Sequence, residues 1–202
     1  MSNLKYEKIY SKNKAFFGKG PSLLIFKNNH LFTKNSLFLD LGCGQGKDLL
    51  FMNELGHRCL GIDASAVATE QLKNIITKKS LKNIRVRNDN IVNFNFSKKY
   101  NVINIQNILQ YLEKKEAGKI LQDIKENTSD GGFVIISALT IEDPSYLVKS
   151  GFKNYFKKNE LLKIFTPKFN IRYYFEGLVQ DGPHGDYPPH QHGLVMLIAR
   201  KK

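Results

Sequence analysis

Cysteine is scarce in this chain: Cys43 and Cys59 are the only two in 202 residues, and they form no C-x-x-C pair. A redox dithiol is therefore not expected, and the two thiols suit a reducing compartment. No uninterrupted apolar run approaches the roughly 20 residues that cross a bilayer. The opening Met1-Ser-Asn-Leu-Lys-Tyr-Glu lacks the apolar core of a signal peptide. The expected setting is the cytoplasm, with no membrane partner. Arginine is limited to Arg58, Arg85, Arg87, Arg172 and Arg200, although the formal net charge is +13. Arginine is the usual residue for bidentate phosphate recognition. The lysines are spread along the chain in nothing denser than pairs such as Lys78-Lys79, Lys98-Lys99, Lys114-Lys115 and Lys157-Lys158. That distribution reads as a solvated surface, and nucleic acid is not an expected partner.

What is present is an alternation of two hydrophobic periods, the pattern of βαβ units around a parallel sheet. Residues 36–41 and 57–62 read as strands, separated by a helix carrying Leu49, Leu50, Met52 and Leu55 and closed by Gly56. Residues 64–80 read as a helix, 84–87 and 100–106 as strands, and about 108–128 as one further helix. Asp130-Gly131-Gly132 then forms a turn into the apolar strand 133–139. A short helix near 158–165 stops at Thr166-Pro167, and strands at about 169–178 and 194–200 flank a loop rich in Gly, Pro and His. The expectation is a single α/β domain over 1–202, with residues 1–34 as an N-terminal helical extension.

The most specific segment is Phe38-Leu39-Asp40-Leu41-Gly42-Cys43-Gly44-Gln45-Gly46-Lys47-Asp48, a buried strand, a glycine turn and a helix start. Glycines at every second position let backbone approach a bulky ligand at the strand's carboxyl end. The spacing is G-x-G-x-G, with Lys47 where a dinucleotide fingerprint requires its third glycine. Asp63 ends the second strand, before Ala64, where a carboxylate can accept both hydroxyls of a ribose. It can also cap the next helix, a service open to Ser65 as well. The third strand runs into Asn88-Asp89-Asn90-Ile91, which alone reads as an Asx turn.

Taken in order, Asp40, the glycine turn, Asp63 and Asp89 resemble the cofactor motifs of the class I S-adenosylmethionine-dependent methyltransferases. The resemblance implies a Rossmann-like, seven-stranded, mostly parallel sheet with an antiparallel last strand and helices on both faces. It also implies S-adenosyl-L-methionine as cofactor. Asp40 would orient its ammonium, while Gly42, Cys43, Gly44 and Gly46 hold the methionine part. Asp63 and Ala64 would meet the ribose, Asp89 the adenine amino group, and Asn90 and Ile91 the ring. Gln106-Asn107 after strand four resembles the segment lining the methyl-transfer site. The [DN]-P-P-[YFW] motif for amino groups of DNA bases, proteins or RNA is missing there, as is the Pro-Cys nucleophile of cytosine-C5 enzymes.

Gly46-Lys47-Asp48 matches the G-[KR]-[DN] extension found in tellurite-resistance and thiopurine-type methyltransferases. Phe16-Phe17-Gly18-Lys19-Gly20-Pro21-Ser22, with Tyr10 before it, resembles their entry segment. That segment reads either as an aromatic staple to the core or as a lid over the cofactor. The resemblance implies a small-molecule acceptor. With no strong base motif near strand four, a soft nucleophile is favoured: a thiol, a chalcogen oxyanion or a related xenobiotic. The loop His184-Gly-Asp-Tyr-Pro-Pro-His190-Gln-His192 is expected beside the acceptor. His190 and His192 point the same way if extended, and His184 with Asp186 offers further ligands. Without regular ligand spacing, no metal is assigned.

Overall fold

The computed structural model describes residues 2–148, 151–182 and 188–202. Seven strands form a mixed sheet, and the chain divides into two compact units, Met1–Asn95 and Phe96–Lys202. No helix among the described residues is long and apolar enough to cross a membrane.

The first unit carries α1 (Ser2–Lys12), α2 (Leu23–Asn28), β1 (Leu37–Leu41), α3 (Lys47–Glu54), β2 (Arg58–Asp63), α4 (Ala66–Lys78) and β3 (Ile84–Asn88). Its strands run β3-β2-β1, all parallel, with Asp40 opposite Gly61 and Asp63 opposite Asn88. Phe38, Leu39, Leu41 and Ile62 are buried, as expected for parallel strands covered on both faces. α3 packs on β2, α4 on β3, and α1 on α4. The N-cap of α4 is Ser65, whose Oγ accepts the Ala68 N–H.

The second unit carries β4 (Tyr100–Gln106), α5 (Lys114–Asn127), β5 (Thr128–Leu139), α6 (Pro144–Leu147), α7 (Glu160–Phe165), β6 (Phe169–Asp181) and β7 (His190–Lys201). Its strands run β4-β5-β7-β6. β4 and β5 are parallel, and β7 is antiparallel to both β5 and β6. The antiparallel last strand of the sequence reading is therefore an inner strand of the sheet.

Several boundaries differ from the sequence reading, each for a local reason. The helix expected over 108–128 begins only at Lys114, because Glu113 and Glu116 form a capping box there. β5 starts at Thr128 instead of Phe133. Its register on β4 jumps from Tyr100↔Thr128 to Val102↔Phe133, so residues 129–132 bulge out of the ladder. A Cβ on Gly132 would lie 2.8 Å from the carbonyl oxygens of Asn101 and Ser129, which explains the glycine there. β6 and β7 are longer than expected at their shared end, and His190 and His192 lie within β7 instead of in a loop.

Candidate functional site

The carboxyl ends of β1, β2 and β3 place Asp40, the glycine turn, Asp63 and Asp89 at one edge of the first unit's sheet. Ligands of open α/β sheets bind at such an edge. The turn is tied to β2 by Gly42 and Cys43, whose N–H groups donate to the Ile62 carbonyl at 2.7 and 3.1 Å. The Gly44 N–H donates to Asp63 Oδ2 at 2.7 Å, and the Ser65 N–H donates to Asp63 Oδ1 at 2.8 Å. Each carboxylate oxygen keeps a further lone pair. Burial pushes the Asp63 carboxyl above its ordinary value, against the two backbone N–H bonds that pull it down.

Gly44 has φ +53, and a Cβ there would stand 3.1 Å from the Tyr10 hydroxyl oxygen. Gly46 answers a different need. A Cβ on it would fall 2.6 Å from both δ-carbons of Leu72, so Gly46 makes room for α4. At this position the missing side chain already has a reason inside the fold, apart from any ligand. Cys43 is turned inward, since its Sγ would be 2.7 Å from a Cβ on Gly61. Burial raises its thiol pKa well above the ordinary value, and Asp40 and Asp63 add to the shift. Cys59 is likewise pushed up to about 12 by burial and by Asp40. Both thiols are protonated and inert at neutral pH.

Asp89 and Asn90 do form the local turn: the Val92 N–H donates to Asn90 Oδ1. The Asp89 N–H donates to the Asp63 carbonyl, tying the turn to the end of β2. Asp89 Oδ2 accepts from Arg87 Nη2 at 2.7 Å, an exposed pair that binds weakly in water. Ile91 is buried, Asn90 exposed, and Ala64 is an exposed bend after β2.

The N-terminal segment sits on this turn. Gln45 holds it at two points, accepting the Phe16 N–H and donating to the Asn13 carbonyl. Gln45 also donates to Gln71, which donates in turn to the Tyr10 carbonyl. The Glu7 carboxylate accepts from the Ala66 and Val67 N–H groups at the start of α4. A carboxylate is favoured at such a helix N-terminus. Tyr10 and Phe16 are buried against Ala68. The sequence reading singled out Tyr10 and the aromatic pair but missed Glu7, Gln45 and Gln71, which carry no motif.

In the second unit the other candidates fall in two groups, Gln106 and Asn107 at the carboxyl end of β4 and His190 and His192 at the amino end of β7. Gln106 Nε2 donates to Asn104 Oδ1. Asn107 has φ +55, and its Oδ1 accepts from Ser137 Oγ at 3.0 Å. His190 Nε2 lies 3.0 Å from His192 Nε2, and His192 Nδ1 lies 2.9 Å from Asp143 Oδ2. Asp143 also accepts the Gly193 N–H at 3.0 Å and the Ser145 N–H at 2.9 Å. Burial raises its pKa, but the Ser145 hydroxyl, which donates to Oδ1, the His192 ring and the two backbone N–H groups together outweigh burial and hold the carboxyl below its ordinary value. The sequence reading missed Asp143. Its signal was Asp143-Pro144, a cap followed by proline at the first helical position, which marks the unexpected α6. His184 and Asp186 lie outside the described residues.

The family model of tellurite resistance protein TehB matches residues 25–180. Over 124 residues the chain is 29% identical to the probable S-adenosyl-L-methionine-dependent methyltransferase TehB of Haemophilus influenzae, covering 61% of this chain and 42% of that protein. It is 25% identical over 164 residues to hemagglutinin 1 of Eikenella corrodens, covering 81% of this chain and 54% of that one. The chain thus spans about half the length of these curated relatives. The crystal structure of TehB from Haemophilus influenzae superposes with a TM-score of 0.77 at 24% identity, over 89% of this chain and 61% of that one. With the Rossmann-like methyltransferase fold, the G-K-D turn and a family match across most of its length, the chain belongs to the TehB family.

Proposed function

We propose that this chain transfers a methyl group from S-adenosylmethionine to a small-molecule acceptor, a thiol, a chalcogen oxyanion or a related xenobiotic. The observation that carries the reading is the Asp63 carboxylate at the end of β2, bonded to Gly44 of the glycine turn at 2.7 Å. The residues fit the cofactor. Asp63 keeps lone pairs for two ribose hydroxyls, and the apolar Ile91 follows Asp89-Asn90, where adenine would lie. When bound, S-adenosylmethionine supplies an electrophilic methyl group on a sulfonium sulfur.

The chain's own groups then position and exclude. Asp63 and Ala64 hold the ribose, and Asp89 accepts from the adenine amino group once it leaves Arg87, with the Asn90 backbone at the ring. Asp40 with the backbone of Gly42, Cys43 and Gly44 orients the methionine end, while Gly46 keeps the turn in shape. Residues 1–34 act as a lid over the glycine turn, with Tyr10 as its contact. Gln106, Asn107, His190 and His192 serve the acceptor. In-line displacement from a sulfonium needs alignment and a stripped nucleophile more than a base, which suits this side-chain set.

An acceptor-panel assay following formation of S-adenosylhomocysteine tests the reading, and no turnover on any thiol or chalcogen oxyanion would overturn it. Asp63→Ala should weaken S-adenosylmethionine binding by about 1–3 kcal/mol, the cost of losing charge-assisted hydrogen bonds. Calorimetry measures this, and unchanged affinity in a folded variant would remove Asp63 from the site. Nucleic acid binding should be weak, indifferent to sequence and steeply reduced by salt, because scattered lysines supply only counterion release. Tight, structure-selective RNA binding at physiological salt, read by filter retention, contradicts that expectation.

A further inference from the structure

The amino end of β7 holds an arrangement that contact with an acceptor does not by itself account for. Asp181 on β6 pairs directly with His190 on β7, and His192 follows on the same face two residues later. One ligand atom each from Asp181, His190 and His192 lie within 4.8 Å of one another.

Proton placement on the two rings makes this more than proximity. His190 Nδ1 lies 2.8 Å from the Pro188 carbonyl oxygen, which can only accept, so this nitrogen donates. His192 Nδ1 faces Asp143 Oδ2 at 2.9 Å, the carboxylate oxygen that also accepts the Gly193 N–H at 3.0 Å, so it donates too. In the neutral rings both Nε2 atoms therefore carry lone pairs, and they face each other at 3.0 Å. Two lone pairs at that distance repel unless a cation stands between or beside them.

We propose that His190 Nε2, His192 Nε2 and the Asp181 carboxylate bind a divalent first-row transition cation, with Asp143 fixing the orientation of His192. Imidazole with carboxylate is a donor set for such ions. At metal–nitrogen distances of about 2.1 Å, a nitrogen separation of 3.0 Å corresponds to an angle of about 90° at the ion, that of neighbouring ligands in six-coordination. A tetrahedral ion requires the rings to part by roughly 0.4 Å. The Asp143 carboxylate on the far nitrogen of His192 is the partner that metal-bound imidazoles commonly have, and it sets the tautomer that leaves Nε2 available. Asp143 itself is almost wholly buried and cannot turn away. The site lies within the second unit and does not depend on the reading of the first as a cofactor site.

The test uses the full chain without a histidine tag, stripped with chelator and titrated separately with Zn²⁺ and Co²⁺. Calorimetry should give one ion per chain, and Co²⁺ should produce a visible absorption band. His190→Ala and His192→Ala should each weaken Zn²⁺ binding by more than about 100-fold, and Asp143→Asn by about 10–100-fold, the range for a group that orients a ligand. Asp181→Asn should weaken it as well. His190 is only partly buried at a strand end, so His190→Ala is the variant least exposed to a folding defect, and circular dichroism checks each protein. Failure of both ions to bind stoichiometrically overturns the proposal, leaving a proton shared by the two rings. Stoichiometric binding that survives in the His190→Ala/His192→Ala double variant overturns it equally, by locating the ion elsewhere.

Discussion

Gly44→Val should abolish detectable S-adenosylmethionine binding at concentrations that saturate the wild-type chain. Two effects act together at this position. Gly44 has φ +53, a conformation that a β-branched residue adopts only under strain of about 1–3 kcal/mol. The added Cβ would also stand 3.1 Å from the Tyr10 hydroxyl oxygen, and the branches beyond it project over the turn where the cofactor is proposed to lie. Strain of that size should lower the melting temperature by about 2–12 °C for a chain of this length. Calorimetry on the folded variant separates the two effects. Cofactor affinity near that of the wild type would place the ligand away from the glycine turn and would undo the reading of Gly44.

The largest loss of stability is expected from Gly193→Ala. A Cβ at this position would fall 2.3 Å from the backbone nitrogen of Asp143 and 2.6 Å from the carbonyl carbon of Glu142. Both are backbone atoms in a turn also fixed by the Thr140 N–H donating to the Gly193 carbonyl at 2.8 Å. No rotamer change relieves the overlap, so the turn must move away from β7. Asp143 then loses the Gly193 N–H and the His192 ring together. Overpacking and the stranded buried carboxylate should cost about 3 kcal/mol, a drop of roughly 6–12 °C in melting temperature. Thermal unfolding followed by circular dichroism measures this. A melting temperature within a degree of wild type would mean that the turn does not rest on β7 in solution. Asp143→Ala keeps the glycine, so comparing the two variants divides the loss between overlap and hydrogen bonds.

How far the sequence was legible differs from element to element. The βαβ alternation, the glycine turn and Asp63 at the end of β2 could be read because each depends on a short contiguous pattern. Asp63 required only that a strand end there, and β2 does end there. The packing reason for Gly46 was not legible, because the side chain that excludes a Cβ there, Leu72, belongs to a helix that begins well down the chain. The long helix expected after β4 was overdrawn because apolar spacing runs on through Leu112, while the capping box that starts α5 rests on Glu113 and Glu116. His190 and His192 were correctly read as sharing a direction. Their loop assignment failed because Gly and Pro in the preceding residues outweighed the ladder that pairs His190 with Asp181 and His192 with Val179. Asp143 was not legible as a partner of His192, since the two meet only through the packing of a four-residue helix against β7.

The position of β7 bears on how the protein is made. β7 is the last strand in the chain, yet it lies between β5 and β6 and supplies hydrogen bonds to both. On the ribosome, β4, β5 and α5 emerge with one edge of β5 open, and that edge includes Val134, Ile135, Ile136 and Ala138, all fully buried in the finished fold. β6 has no seat in the sheet until β7 has followed it out. Within the first unit, by contrast, β1 pairs with β2 and β2 with β3, in the order in which they are synthesised. Stalled or truncated products that stop short of Met196 therefore carry an apolar strand with an unsatisfied edge, a template for association with other chains. The same logic applies to fragments trimmed to residues 25–180, the span of the family match, which would remove the inner strand of the sheet along with both β7 histidines.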